Sequence, residues 1–466
     1  MLTYDLERRG GLARYDYLYR CIKEDILSGR LTAGEKLPSK RALARHLETA
    51  VVTVENAYAQ LLAEGYLRSE EKRGYFVCPV EVRPDRPPAE ETQLRQTAPR
   101  RRWLLDLSSG GSGTEGFPFS VWARLMRRVI TEEGERLLPS MPHSGALPLR
   151  QALARHIYQF RGIAADPEQI VVGAGTEYLY NLLVQLLGRD RVYGVEDPGY
   201  SKAGRVYALN GAKCVYLPVD GQGVDPVRAE ESGADILHLS PNHQFPTGAV
   251  MPIARRQSLL RWAGEAPGRY LIEDDYDSEF RFTGRPIPTL RSIDRADRVI
   301  YMNTFSRSLA PSLRIGYMVL PRPLLGEYQD KLGFYSCTVP AMEQYTLARF
   351  LEEGHFDAHV NRMRVFYRAR RDAVLRAIEE SPLAGRCRAM GENAGLHFLL
   401  ELDTKLPDET LARRAEERGL RLAFLSDYQH TRAAARPHTL VVNYPGADLE
   451  YLAQALDILT EVMGAE

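Results

Sequence analysis

At 466 residues the chain is long enough for two or three separately cored domains, and 44% apolar with 26% charged content is ordinary for a soluble globular protein. Lys plus Arg and Asp plus Glu stand at 61 each, which excludes a global electrostatic case for nucleic acid or membrane but leaves a local basic face open. Five scattered cysteines, never in a CxxC pair, argue against a metal knuckle or a disulfide framework and for a reducing compartment; no metal site is expected. The first residues lack a signal-type apolar core and no run of about eighteen apolar residues occurs, so a cytoplasmic protein is expected.

Residues 12 to 80 read as a compact helical module ending in a hairpin. Leu18, Ile22 and Ile26 fall at i, i+4, i+8 and predict an amphipathic helix stopped at Gly29. Ser39 is a candidate N-cap for a short helix carrying Leu43 and Leu47. A third helix follows, with Val54, Ala57 and Leu61 as its buried stripe, and GYLRSEEKRGYFV reads as two short strands around a charged turn. This is the outline of a winged helix-turn-helix. Its local charge is only slightly favourable, 13 Lys/Arg against 11 Asp/Glu over residues 1 to 80.

Residues 81 to 103 are rich in Pro, Arg and Glu, nearly free of aliphatics, and read as a linker. Its Arg100, Arg101 and Arg102 form a solvated run that also suits phosphate contact.

From 104 to 466, apolar strand-like runs alternate with amphipathic helices: QIVVGAG, RVYGVED, AKCVYLPV, DILHLSP, RYLIEDDYD, RVIYMNTFS and GYMVLP. Short Val/Ile/Leu-rich strands of this kind predict a largely parallel sheet covered on both faces. From about 385 the tail reads as a smaller α+β lobe.

In open α/β sheets ligands sit at the carboxyl ends of strands, and the polar residues cluster there. Gly173-Ala174-Gly175-Thr176 lies between a strand and a helix N-terminus, where free N–H groups suit a phosphate, although tight strand–helix turns use Gly for geometry as well. Tyr200, after Asp197-Pro198-Gly199, is placed either to stack on a flat ring or to pack in the core. SPNHQFPTG (240–248) is a polar turn dense in donors. Glu273, Asp274 and Asp275 end a buried strand and need partners; a protonated pyridine nitrogen is one.

In this order the pieces resemble the fold-type I aminotransferases that use pyridoxal phosphate. Together with LPSKRALARHL, AYAQLLAEGYL and RGYFV at the N-terminus, and with HQFPTG, IEDDYDSEFR and APSLRIGYMVLP, they resemble the MocR subfamily of GntR regulators over essentially the whole chain. The resemblance implies an α/β multidomain chain: an N-terminal winged helix, an aminotransferase-like domain and a small C-terminal lobe. It also implies a head-to-tail homodimer, an operator with two half-sites, and an effector drawn from pyridoxal phosphate, amines or amino acids. Carried over by position, Asp274 pairs with the pyridine nitrogen, Tyr276 approaches the phenolic oxygen and Tyr200 covers the ring. Gly175, Thr176, Thr304 and Arg314 hold the phosphate.

Two positions depart from the pattern. Arg307, in Ser306-Arg307-Ser308, stands where the Schiff-base lysine belongs. A guanidinium stays protonated and delocalised, so it cannot attack an aldehyde or shuttle a proton, although it can hold a phosphate or carboxylate bidentately. Non-covalent cofactor binding at best is expected, with transaminase turnover close to nil. Lys202 is the other lysine expected to border the pocket. In the third helix, Ala50 and Val51, followed by Val52, replace a polar Ser-Arg pair. Lys40, Arg41, Lys72 and Arg73 remain for phosphates, Thr53 and Asn56 for base edges, and Val51 for a thymine methyl. Three readings stay open: a transcription regulator with a catalytically degenerate sensor domain, a working aminotransferase carrying a DNA-binding appendage, and an interaction protein that has lost both DNA and cofactor binding.

Overall fold

The structure, a computed structural model, describes residues 2–80, 103–108, 116–282, 287–431 and 436–464. Of the expected linker only Trp103 is among them; Arg100, Arg101 and Arg102 lie outside the described residues. The chain divides into two compact units, Met1–Arg101 and Arg102–Glu466.

The first unit contains α1 (Arg14–Leu27), β1 (Lys36–Leu37), α2 (Lys40–His46), α3 (Val51–Ala63), β2 (Leu67–Glu70) and β3 (Gly74–Val77). Its core is built from the expected stripes: Leu18, Ile22 and Ile26 of α1 pack with Leu43 of α2 and with Val54, Ala57 and Leu61 of α3, all essentially inaccessible. The Ser39 hydroxyl accepts the Ala42 N–H at 3.2 Å and caps α2. The hairpin forms as expected, but β1 adds a third strand in the order β1-β3-β2. Two residues are too few to show a period, so this strand has no sequence signature.

The second unit runs β4 (Leu105–Asp106), α4 (Phe119–Glu133), α5 (Leu147–Arg161), β5 (Ile170–Gly173), α6 (Thr176–Leu187), β6 (Val192–Asp197), α7 (Ser201–Leu209), β7 (Lys213–Asp220), β8 (Gly223–Val224), α8 (Pro226–Glu231), β9 (Ile236–Leu239), α9 (Ile253–Glu265), β10 (Tyr270–Asp274), α10 (Leu290–Ile293), β11 (Val299–Thr304) and β12 (Gly316–Val319). It continues with α11 (Leu325–Leu332), α12 (Ala341–Glu352), α13 (His355–Glu380), β13 (Cys387–Met390), β14 (His397–Leu402), α14 (Asp408–Glu417), β15 (Leu420–Arg421), β16 (Thr439–Asn443) and α15 (Leu452–Gly464).

Eight strands form the main sheet in the order β5-β12-β11-β10-β9-β6-β7-β8. Strands β6, β7, β9, β10 and β11 are parallel, while β12 runs antiparallel to both β11 and β5. Side chains alternate between two buried faces: Ile272 and Ile300 pack on one side, Leu271 and Val299 on the other. Burial on both faces is why these strands read as continuous apolar runs. The smaller lobe has the sheet β13-β14-β16 and a two-stranded pair, β15-β4. Leu105 and Leu107 thus belong to the small lobe's core, beside Leu420 and Leu440. The lobe is therefore not built from the C-terminal tail alone.

Replacing Ser39 by Ala leaves an amide at the start of α2 without its acceptor, at a cost of about 0.5–2 kcal/mol. Hydrogen exchange read by mass spectrometry is expected to show α2 and α3 amides opening roughly 2- to 30-fold faster, with the second unit unchanged.

Candidate functional site

At the carboxyl ends of the parallel strands lies a cavity of about 180 Å³ whose lining includes Thr176, Tyr200, Asp274, Tyr276, Thr304, Arg307 and Arg314. Gly175 does not line it but directly precedes Thr176, which does. With φ 88° and ψ 171°, Gly175 occupies backbone space that is essentially closed to other residues, and a Cβ there would lie 2.5 Å from the Arg314 guanidinium.

Strand alternation sorts the three acids that end β10. Glu273 and Asp275 point to one face and Asp274 to the other. Glu273 accepts the Leu290 and Arg291 N–H groups at 2.9 Å each and so caps α10. Asp275 is gripped by Arg161 at 2.8 and 3.0 Å, and also accepts from Tyr301 and Asn242. Asp274 alone faces the cavity. Its Oδ2 accepts the Tyr180 hydroxyl at 2.7 Å and lies 3.4 Å from His238 Nε2, whereas its buried Oδ1 has no partner among the described residues. A buried acceptor left without a partner on a residue that lines the cavity fits a cationic ring N–H.

Thr304 and Ser306 also line the cavity, with Thr304 Oγ1 2.9 Å from Ser306 Oγ. Arg314 is committed to Glu177, which also binds Lys202 at 3.2 Å. The Tyr200 hydroxyl and the Glu177 carboxylate hold the Lys202 ammonium above its ordinary range, so it offers no neutral amine.

Arg307 is half-buried, lines the cavity and makes no hydrogen bond or ion pair among the described residues. Tyr276 meets His243 Nδ1 at 3.1 Å, and the same nitrogen lies 2.9 Å from Asp277. His397 stands beside that pair, its imidazole held neutral by burial, which pushes it down to about 3. Glu196 also borders the cavity. Burial pushes it up to about 8, so it is largely a neutral carboxyl at pH 7, and its Oε1 has no partner among the described residues.

On the first unit, Arg41 and Asn56 are exposed, Thr53 is half-buried, and Val51 and Val52 are 43% and 58% exposed at the start of α3. Lys72 takes a left-handed conformation, φ 59°, at the hairpin turn. Lys40 is tied across to Glu55 at 2.5 Å and Arg73 to Glu70 at 2.5 Å, so any phosphate must compete with these carboxylates.

Comparison with known proteins matches residues 14–77 to the bacterial regulatory proteins of the gntR family and residues 104–452 to aminotransferase class I and II. The chain is 39% identical to the HTH-type transcriptional regulator YdeL of Bacillus subtilis over 92% of this chain and 93% of that one. It is 32% identical to the probable rhizopine catabolism regulatory protein MocR of Rhizobium meliloti, covering 97% of this chain and 94% of that one. The chain belongs to the MocR-type gntR regulators. Its second unit has the fold of Thermus thermophilus LysN, an α-aminoadipate aminotransferase solved with N-(5'-phosphopyridoxyl)-L-leucine: TM-score 0.67, 27% identity, 78% of this chain and 92% of that one. This MocR-type regulator is thus a gntR winged helix fused to an aminotransferase fold, a family whose members generally use pyridoxal phosphate.

Sequence reasoning missed His238, Tyr180, Glu177 and Glu196, which the fold brings to the cavity. His238 gave one signal, a polar residue inside the apolar run DILHLSP.

Glu196 keeps its proton in the folded state up to about pH 8, whereas the unfolded carboxyl releases it near 4.3. Between these values the folded state binds more protons, so stability falls as pH rises and levels off above about pH 8. In Glu196→Gln, urea midpoints measured from pH 5 to 8 are expected to decline less steeply, by up to about 1.4 kcal/mol per pH unit.

Proposed function

We propose that the aminotransferase-like domain of this regulator is a ligand sensor rather than a working transaminase. In this reading it holds pyridoxal phosphate, or an amine- or amino-acid-related ligand, without a covalent bond, and occupancy alters DNA binding by the winged helix. The observation that carries this reading is Arg307: the Schiff-base position holds a group that is never a neutral amine.

Pyridoxal phosphate, when bound, supplies an electron-withdrawing pyridinium ring and an aldehyde. Asp274 Oδ1 would hold the ring N–H, while Tyr180 and His238 fix the carboxylate from behind. Tyr276 would approach the phenolic oxygen and Tyr200 cover the ring. The phosphate would go to the Gly175 and Thr176 end of α6, with Thr304 and Arg314. Arg314 would share its charge between the phosphate and Glu177, so binding is coupled to loosening that ion pair. Arg307 would hold an anion and move no proton. The alternative, an active aminotransferase with a DNA-binding appendage, needs an uncharged lysine; Lys202, the lysine that lines the cavity, is a charged partner of Glu177.

We place the protein in the cytoplasm as a head-to-tail homodimer whose two winged helices read two spaced half-sites. Arg41, Lys40, Lys72 and Arg73 would contact phosphates, with Val51, Thr53 and Asn56 towards base edges.

Borohydride treatment with pyridoxal phosphate, followed by dialysis and mass spectrometry, is expected to leave no covalent increment on the natural chain. Arg307→Lys is expected to gain one at position 307. An increment on Lys202 in the natural chain would sink the non-covalent reading.

For DNA, Arg41→Ala is expected to weaken binding to operator and unrelated sequence alike and to lower the salt slope by about 1. Gel shifts at several salt concentrations measure this, and a change confined to sequence preference would contradict a phosphate contact.

A further inference from the structure

We infer that the cavity selects a carboxylate-bearing pyridoxyl ligand, an amino acid joined to the cofactor as in an N-(5'-phosphopyridoxyl) amino acid, over pyridoxamine phosphate, with Arg307 reading the carboxylate. The inference rests on the cofactor-pocket reading above.

The cavity holds three cationic side chains among the described residues, and two of them are already answered. Arg314 and Lys202 share Glu177. Arg307 has no carboxylate of its own. Asp277, a carboxylate whose charge Arg307 does influence, is bound to His243 at 2.9 Å. Asp274 lines the same cavity and in the proposed pose is taken by the ring nitrogen, while Tyr200, Tyr276 and Tyr428 are held in the neutral phenol form by burial and His397 is a neutral imidazole. The positive charge of Arg307 is therefore left for the ligand.

The sign of that charge separates two close relatives of one molecule. Pyridoxamine phosphate presents an ammonium where the lysine of a working enzyme would be. A lysine at 307 would relieve the clash by losing its proton, but an arginine cannot. The two cations must then coexist in a partly desolvated cavity, where like charges a few ångström apart repel far more than in water. A pyridoxyl amino acid carries a protonated amine at the same carbon but adds a carboxylate, which offsets that charge and which the planar fork of the guanidinium matches bidentately. The ring, its nitrogen and its phosphate are common to both ligands, so Asp274 and the α6 end contribute to each alike. The discrimination falls to Arg307.

Isothermal titration of the full-length protein with N-(5'-phosphopyridoxyl)-L-leucine, pyridoxal phosphate and pyridoxamine phosphate tests this. The amino-acid adduct is expected to bind at least about tenfold more tightly than pyridoxamine phosphate, with pyridoxal phosphate between them. In Arg307→Met, and in Arg307→Gln as a second neutral replacement, the gap is expected to shrink to within about threefold, chiefly because the adduct binds less well. If pyridoxamine phosphate binds the natural chain as tightly as the adduct, the inference is overturned and the cofactor pocket stands. A preference that survives in both variants overturns the assignment to Arg307. If none of the three ligands binds at millimolar concentration, the cofactor-pocket reading itself fails and takes the inference with it.

Discussion

The second unit is organised around carboxylates buried at the end of one strand. Burying an ionised carboxylate without a partner is costly enough to prevent folding, so Glu273, Asp274 and Asp275 dictate much of what surrounds them. Asp275 requires Arg161 from the end of α5, along with Tyr301 and Asn242. Glu273 requires the N-terminus of α10, and Asn242 bridges the two acids while accepting from Arg256. These contacts fasten α5, the 240–248 turn, α10 and β11 to one point of the sheet. Asp274 is treated differently: one oxygen is held by Tyr180 and the other is buried with no partner among the described residues. A neighbourhood that satisfies the two flanking acids and leaves one buried oxygen of a cavity-lining middle acid without a partner has the form of a binding site for a cation.

The same logic extends to the small lobe. Asp197, at the end of β6, accepts the His430 and Thr431 N–H groups, and the Gly199 N–H donates to the Tyr428 carbonyl. The loop carrying Tyr200 is thus held by both lobes. A shift of the small lobe would move a residue that lines the cavity. On the proposed sensor reading, these hydrogen bonds would carry ligand binding to the small lobe.

How much of this was readable in the sequence follows from the range of the interactions. The strands of the main sheet were visible because burial on both faces makes them continuous apolar runs. The antiparallel direction of β12 was not, since a buried strand has the same composition either way. The placement of Leu105 and Leu107 in the small lobe depends on pairing with Leu420 and Arg421, some three hundred residues away. Arg161 reads locally as a basic residue in the last turn of α5, a common helix-end choice, and nothing near it in sequence shows that it answers Asp275. His238 and Tyr180 converge on Asp274 only through the packing of α6 on the sheet. The Lys40–Glu55 pair likewise needs the angle between α2 and α3. Gly175 was the opposite case, because a tight turn into a helix marks itself locally.

On the proposed reading, Arg307 changes what the cavity is for while the fold stays as it is. A lysine there would act as a proton reservoir, able to lose its charge when an aldehyde or an ammonium comes near. Arginine keeps the reach and the charge but loses that adjustability. In a site whose phenols and His397 imidazole are neutral, the fixed charge is a permanent demand for an anion: Asp277 is bound to His243, and on the proposed reading Asp274 serves the ring nitrogen. On the proposed reading, lost catalysis and gained selectivity are the same physical fact. A residue that cannot give up its proton would not turn over an amine, and for that reason it would favour the ligand that brings a carboxylate.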